Sequence, residues 1–197
     1  MIIIQHRRNT RAQLEATPSH YGVEIDLRSH DDKIVLHHDP FVAGERFDEW
    51  IESYRHRCLI LNVKEEGLES LLIAKMKARA IENYFFLDQS FPFLVRTARS
   101  GESRCAVRVS EFESIFTAIA LSGMVEWVWV DCFTRFSLTR DEAVRLKQAG
   151  FKLCLVSPEL QGRDSAQSEI SAIRDCFLQW DIAIDAVCTK LPQLWES

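Results

Sequence analysis

Short runs of apolar residues, each ending in a polar or charged one, recur along this chain with helix-patterned stretches between many of them. Eight such runs read as strands, at residues 2–6, 23–28, 58–64, 84–88, 105–110, 127–132, 152–157 and 186–190, all rich in Val, Ile, Leu, Phe or Trp. Several are apolar nearly throughout, the pattern of parallel strands covered on both faces. The intervening stretches carry helical signals. Residues 65–82 place Leu68, Leu71, Leu72 and Met76 on one stripe, residues 111–121 follow Ser110 as an N-cap, and Thr139 caps 140–149 ahead of Gly150. Residues 163–180 close the series. Eight strands with crossovers predict an α/β fold, a small (β/α)8 TIM barrel. His6, Asp26, Lys64, Asp88, Ser110, Asp131, Ser157 and Lys190 stand where its strands end, at the face where such barrels place their chemistry.

One run breaks the rhythm. Residues 34–38 follow the second strand through the polar turn Ser29-His30-Asp31-Asp32 and read as an extended arm beside the barrel mouth, with a short helix at 47–54 after it. The length of 197 residues supports one core, and no Pro, Gly or Ser-rich linker divides it, so residues 1–197 are expected to form a single domain. A net charge of −5 without a Lys/Arg stripe argues against nucleic acid as a partner. No run approaches the roughly 20 apolar residues of a membrane span. The first residues do not read as a signal peptide, so a cytoplasmic location is expected. The six cysteines form no CxxC pair and mostly sit in apolar runs, as buried reduced thiols do.

The candidate chemistry lies in the first third. Strand alternation puts Glu24 and Asp26 on one face while Val23, Ile25 and Leu27 take the other, so two carboxylates can close on one divalent cation. His6 and His38 flank them as an acid and base pair. The neutral alternatives are hydrogen-bonded structural histidines and a buried ion-pair network of Glu24 and Asp26 with Arg7, Arg28 or Lys64. His37 is expected on the face opposite His38, Asp88 and Asp131 either complete a metal shell or cap loops, and Trp129 packs inside the barrel or walls its pocket.

His6-Arg7, Glu24-x-Asp26, His38-Asp39-Pro40 and the strand ending Asn62-Val63-Lys64 together resemble the glycerophosphodiester phosphodiesterase family, among the phosphatidylinositol-phospholipase-C-like barrels. The resemblance covers about residues 2–64. It implies a metal-dependent phosphoric diester hydrolase acting on a small-molecule or lipid-derived glycerophosphodiester. His6 and His38 match the catalytic histidines, Glu24 and Asp26 the metal carboxylates with Asn62 at the third ligand position, and Arg7 and Lys64 the phosphate-holding residues. Mg²⁺ or Ca²⁺ is the implied cofactor. In this family's scheme a neighbouring glycerol hydroxyl attacks first, and water then opens the cyclic phosphate. The chain departs from the family at three places: Arg8 replaces the usual Gly, Asn62 replaces a carboxylate, and the insertion after the second strand is reduced. Two other functions are open at this level, a phosphate-binding barrel without turnover and an aldolase or isomerase using Lys64 as a Schiff base.

Overall fold

A computed structural model describes residues 1–196. All eight sequence-predicted strands form within a residue or two of their expected bounds. They are β1 (Ile2–Gln5), β2 (Gly22–His30), β5 (Leu59–Val63), β6 (Tyr84–Leu87), β7 (Ala106–Val109), β8 (Trp127–Val130), β9 (Lys152–Val156) and β10 (Ala186–Thr189). The extended arm is a strand, β3 (Lys33–Leu36), and a two-residue strand β4 (Glu45–Arg46) follows it.

The chain divides into two compact units. In Gln5–Glu102 the strand order is β4-β3-β2-β5-β6, with β2, β5 and β6 parallel and β2, β3 and β4 an antiparallel meander. Val23, Ile25 and Leu27 on β2 are fully buried, and so are Leu59, Ile60 and Leu61 on β5. The register sets Glu24 opposite Ile60 and Asp26 opposite Asn62. Between β2 and β5 the chain holds only β3, β4, the helix α2 (Phe47–Trp50) and a 3₁₀ turn at Ile51–Ser53, so the insertion is small. Gly44 is required there, because a Cβ at that position would stand 2.3 Å from the Leu36 carbonyl oxygen. Two further helices belong to this unit and have no counterpart among the sequence expectations. They are α1 (Arg11–Glu15), closed by a capping box in which Thr10 and Gln13 exchange hydrogen bonds, and α4 (Phe91–Arg99), which starts on Pro92 in its first turn. The stretch expected at 65–82 is shorter, α3 (Glu69–Ala78).

The second unit joins Met1–Ile4 to the chain from Ser103 onward, with strand order β1-β10-β9-β8-β7 and parallel pairing from β10 to β7. Trp127 and Trp129 on β8 are both buried. Helix α5 (Ile115–Ile119) begins later than expected. Ser110 is not its cap: ahead of the helix its Oγ accepts from the Phe112 N–H and donates to Glu113, and Ser114 caps the helix by accepting from the Phe116 amide. Helix α6 (Arg140–Gln148) carries the Thr139–Glu142 capping box, and α7 spans Ala166–Trp180. Cys58, Cys105, Cys132, Cys154 and Cys188 are buried, whereas Cys176 is half-buried. No helix of the described residues is long and apolar enough to cross a membrane.

Candidate functional site

β2 carries the centre of the site. Period-2 alternation puts Glu24, Asp26 and Arg28 on one face, and Glu24 and Asp26 are fully buried there. Burial of two adjacent carboxylates is costly unless donors surround them, and donors do. The Arg7 backbone N–H donates to Glu24 Oε2 at 2.7 Å, with His6 Nε2 3.8 Å from the same oxygen. The Asn62 amide donates to Glu24 Oε1 at 2.8 Å. Asn9 grips Asp26 twice: its Nδ2 donates to Oδ2, and its Oδ1 accepts from the Asp26 backbone N–H, both at 2.9 Å. Arg7 Nε lies 3.4 Å from Asp26 Oδ2 and Lys64 Nζ 3.4 Å from Oδ1. Lys64 also donates to Asp88 Oδ2 at 2.8 Å. Even so, burial, and next the charge of Asp26, push the Glu24 carboxyl up to about 7.

Arg7 reaches this position through a left-handed backbone, φ 51°, an uncommon conformation for a side chain of this size. The strained position in the turn is thus Arg7 itself. The neighbouring Arg8 supplies backbone links instead: its N–H donates to the Glu24 carbonyl, and its own carbonyl accepts from the Trp50 indole.

His38 stands just past β3 on a cavity of about 580 Å³ that Arg7, Asn9, Gln13, His37, Asp39 and Glu45 help to line. Its Nδ1 is 2.8 Å from Asp39 Oδ1, and the hydrogen bond from His38 holds the Asp39 carboxyl below its ordinary value. An ionised carboxylate only accepts, so the Nδ1 of His38 carries the hydrogen and Nε2 is the nitrogen left for proton transfer. His37 differs from the sequence expectation, since it lines the same cavity as His38. β3 ends at Leu36, and strand alternation does not extend to the two residues beyond it. The Asp39 backbone N–H lies 3.0 Å from His37 Nδ1, and the Asp39 carbonyl 3.2 Å from the same nitrogen.

Of the sequence-predicted residues, His6, Arg7, Glu24, Asp26, Asn62 and Lys64 form one bonded cluster, and His38 joins it through the cavity it shares with Arg7. Asp88 pairs with Lys64. Asp131, in the other unit, is engaged there by the Gln161 amide at 2.7 Å, the Cys132 N–H at 2.9 Å and Arg108 at 3.6 Å. Lys64 is an ammonium between two carboxylates, the opposite of an amine aimed at a carbonyl, and the Schiff-base reading is set aside on that geometry. The sequence reading missed Asn9. Its signal was present, since Asn9 directly precedes the Thr10-x-x-Gln13 capping box that fixes where this loop ends.

Whether the cluster suits a metal ion rests on two atoms. Asp26 Oδ1 and Asn62 Oδ1 are buried and accept no hydrogen bond, the first having only the Lys64 ion pair at 3.4 Å, and they stand on register partners of adjacent strands. Together with the Glu24 carboxylate they make an all-oxygen set of the kind hard divalent cations take. The residues fit such an ion. No group of three or more His, Cys, Asp and Glu converges among the described residues, so a third oxygen beside Glu24 and Asp26 would have to come from the amide of Asn62.

No family model matches the chain, and no curated protein matches it. Solved structures do. A putative glycerophosphodiester phosphodiesterase from Galdieria sulphuraria superposes with a TM-score of 0.72 at 16% identity, covering 98% of this chain and 96% of that one. The glycerophosphodiester phosphodiesterase from Agrobacterium tumefaciens gives 0.68 at 14% identity, covering 98% and 97%. A glycerophosphoryl diester phosphodiesterase from Parabacteroides distasonis gives 0.65 at 14%, covering 96% and 82%. The likeness shows the fold, the α/β TIM barrel that these phosphodiesterases share.

Proposed function

We propose that the chain is a metal-dependent phosphoric diester hydrolase that cleaves a glycerophosphodiester into an alcohol and a glycerol phosphate. The observation that carries this reading is the convergence of His6, Arg7, Glu24, Asp26, Asn62 and Lys64 in one bonded cluster, beside a cavity onto which His38 opens. Arg7 and Lys64 hold the phosphoryl oxygens. One imidazole takes the proton of the attacking glycerol hydroxyl while the other protonates the leaving alkoxide. When water opens the cyclic phosphate the two roles reverse. His38, with Asp39 fixing its tautomer, presents Nε2 for this exchange. Glu24, Asp26 and Asn62 would hold the cation. When bound there, Mg²⁺ or Ca²⁺ supplies neutralising charge for the phosphoryl oxygens.

The fold of the solved phosphodiesterases supports the reaction class. A second reading, a phosphate-binding barrel without turnover, is favoured by one residue, Asn62, which brings a neutral oxygen to the third ligand position. Incubating the protein with a panel of glycerophosphodiesters, with added Mg²⁺ or Ca²⁺ and with chelator, tests both. Glycerol phosphate released only with cation is the expected result. Phosphate binding without release of product at any cation concentration would favour the second reading.

A further inference from the structure

Arg28 is the third residue on the face of β2 that carries Glu24 and Asp26, and it makes no contact with either carboxylate. Its guanidinium spans two other strands. Nε donates to the His38 carbonyl at 2.9 Å and Nη1 to the Lys64 carbonyl at 3.0 Å. Those carbonyls lie two residues past the end of β3 and one residue past the end of β5, strands that both pair with β2. A planar fork with fixed spacing between its N–H groups sets how far apart two acceptors stand, which a lysine ammonium cannot do.

We infer that Arg28 is a positioning residue that fixes the spacing between His38 and Lys64, and so between the proton-transfer group and the phosphate it acts on. This rests on the function proposed above. The backbone geometry explains the need. Lys64 is tied to β2 by its own N–H, which donates to the Leu27 carbonyl at 3.0 Å. His38 lies beyond the last β2–β3 register pair, Leu27 with Leu36 at that end, so no ladder bond reaches it. Among the described residues it is the Arg28 side chain that links β2 to the His38 backbone, and the same side chain bonds the Lys64 carbonyl.

Arg28→Lys keeps the charge and removes the fork. On the proposed function its kcat falls on the order of 10²-fold, the effect of a small misplacement of reacting groups, while KM stays within about threefold. Unchanged kcat in a folded Arg28→Lys protein overturns the inference. A second readout does not depend on turnover. Inorganic phosphate is titrated into the protein while the His38 ring is followed by NMR, its signal assigned with His38→Gln. The unmodified protein is expected to shift the His38 signal on binding phosphate, and Arg28→Lys to bind phosphate with the His38 response lost. The same His38 response in both proteins overturns the coupling. Absence of any phosphate response in the unmodified protein overturns the phosphate-holding role of Lys64, and with it the reading on which the inference rests. Arg28→Gln serves as a second variant, with thermal unfolding of each confirming a folded chain.

Discussion

Two acidic centres, one in each compact unit, look alike in sequence and differ in chemistry. On β2, Glu24 and Asp26 are two buried carboxylates on one strand face, and they leave Asp26 Oδ1 and the neighbouring Asn62 Oδ1 without a hydrogen-bond donor. Past β7 and β8, Glu111 and Asp131 also follow apolar strands. Glu111 accepts the backbone N–H groups of Phe133, Thr134 and Arg135 and the Thr134 hydroxyl. Asp131 is engaged by Gln161, the Cys132 N–H and Arg108. The second centre spends its carboxylates on holding a loop. The first leaves Asn62 Oδ1 without a donor and Asp26 Oδ1 with only the Lys64 ion pair at 3.4 Å, beside a carboxyl raised to about 7. An acidic residue at a strand end is therefore a weak sign of function; a buried pair with unmet acceptors is a strong one.

The largest effect expected of any single change is at the histidines. His6→Ala and His38→Ala should each lower turnover by on the order of 10²- to 10⁴-fold with the fold intact, as loss of a positioned proton-transfer group does. Steady-state kinetics beside a melting curve check this, and near-normal kcat in either variant would remove that residue from the mechanism. Next comes the cation. Asn62→Glu supplies a third carboxylate and should tighten Mg²⁺ or Ca²⁺ binding by roughly tenfold or more, since affinity follows ligand charge. Isothermal calorimetry measures it, and weaker binding in the variant would place the ion elsewhere.

The smallest effects lie in pH dependence, and the two centres should differ in sign. Glu24 is raised from an ordinary value of 4.5 to about 7, by burial first and then by Asp26. Its contribution to stability in chelator is therefore full below about 4.5 and lost as pH rises through about 7. Glu111 moves the other way. The burial that would raise it is outweighed by the donors from Thr134 and Arg135, and it falls from 4.5 to about 2. Its contribution is present above about 4.5 and lost as pH falls toward 2. Urea unfolding across pH should show Glu24→Gln flattening the neutral side of the curve and Glu111→Gln the acid side. Both variants altering the same limb would contradict the contrast.

Much of the fold was legible because parallel strands buried on both faces must be apolar nearly throughout, and several of the eight read so. The short helix expected at 47–54 was legible too, as α2 and the 3₁₀ turn after it, but α1 and α4 were not. α1 has five residues, too few for a periodic stripe, and its existence rests on the Thr10–Gln13 box. At 111–121 a serine before an amphipathic stretch looked like a cap, but Ser110 closes a turn with Phe112 and Glu113 ahead of the helix, and only the folded chain shows that Ser114 is the cap. In the site, residues acting through side-chain charge were visible as motifs. Arg28 acts through the backbone carbonyls of His38 and Lys64, and a backbone acceptor leaves no mark in the sequence. Asn9 bonds the backbone N–H and the carboxylate of Asp26, and only the capping box beside it marks its place. Arg28 nonetheless carried a hint, the same period-2 face as Glu24 and Asp26. His37 shows the limit of that rule, since alternation ends where the strand does.

The contrast between the two centres is tested most directly by Asp26→Asn and Asp131→Asn, assayed side by side against the same glycerophosphodiester with saturating cation. Asp26→Asn should lose turnover by on the order of 10²-fold or more while remaining folded, through loss of charge at the cation and phosphate. Asp131→Asn should unfold at lower urea, by about 1–3 kcal/mol for a buried hydrogen-bonded group, with turnover within a few fold of the unmodified protein. Turnover that survives Asp26→Asn and collapses in a folded Asp131→Asn would contradict the account.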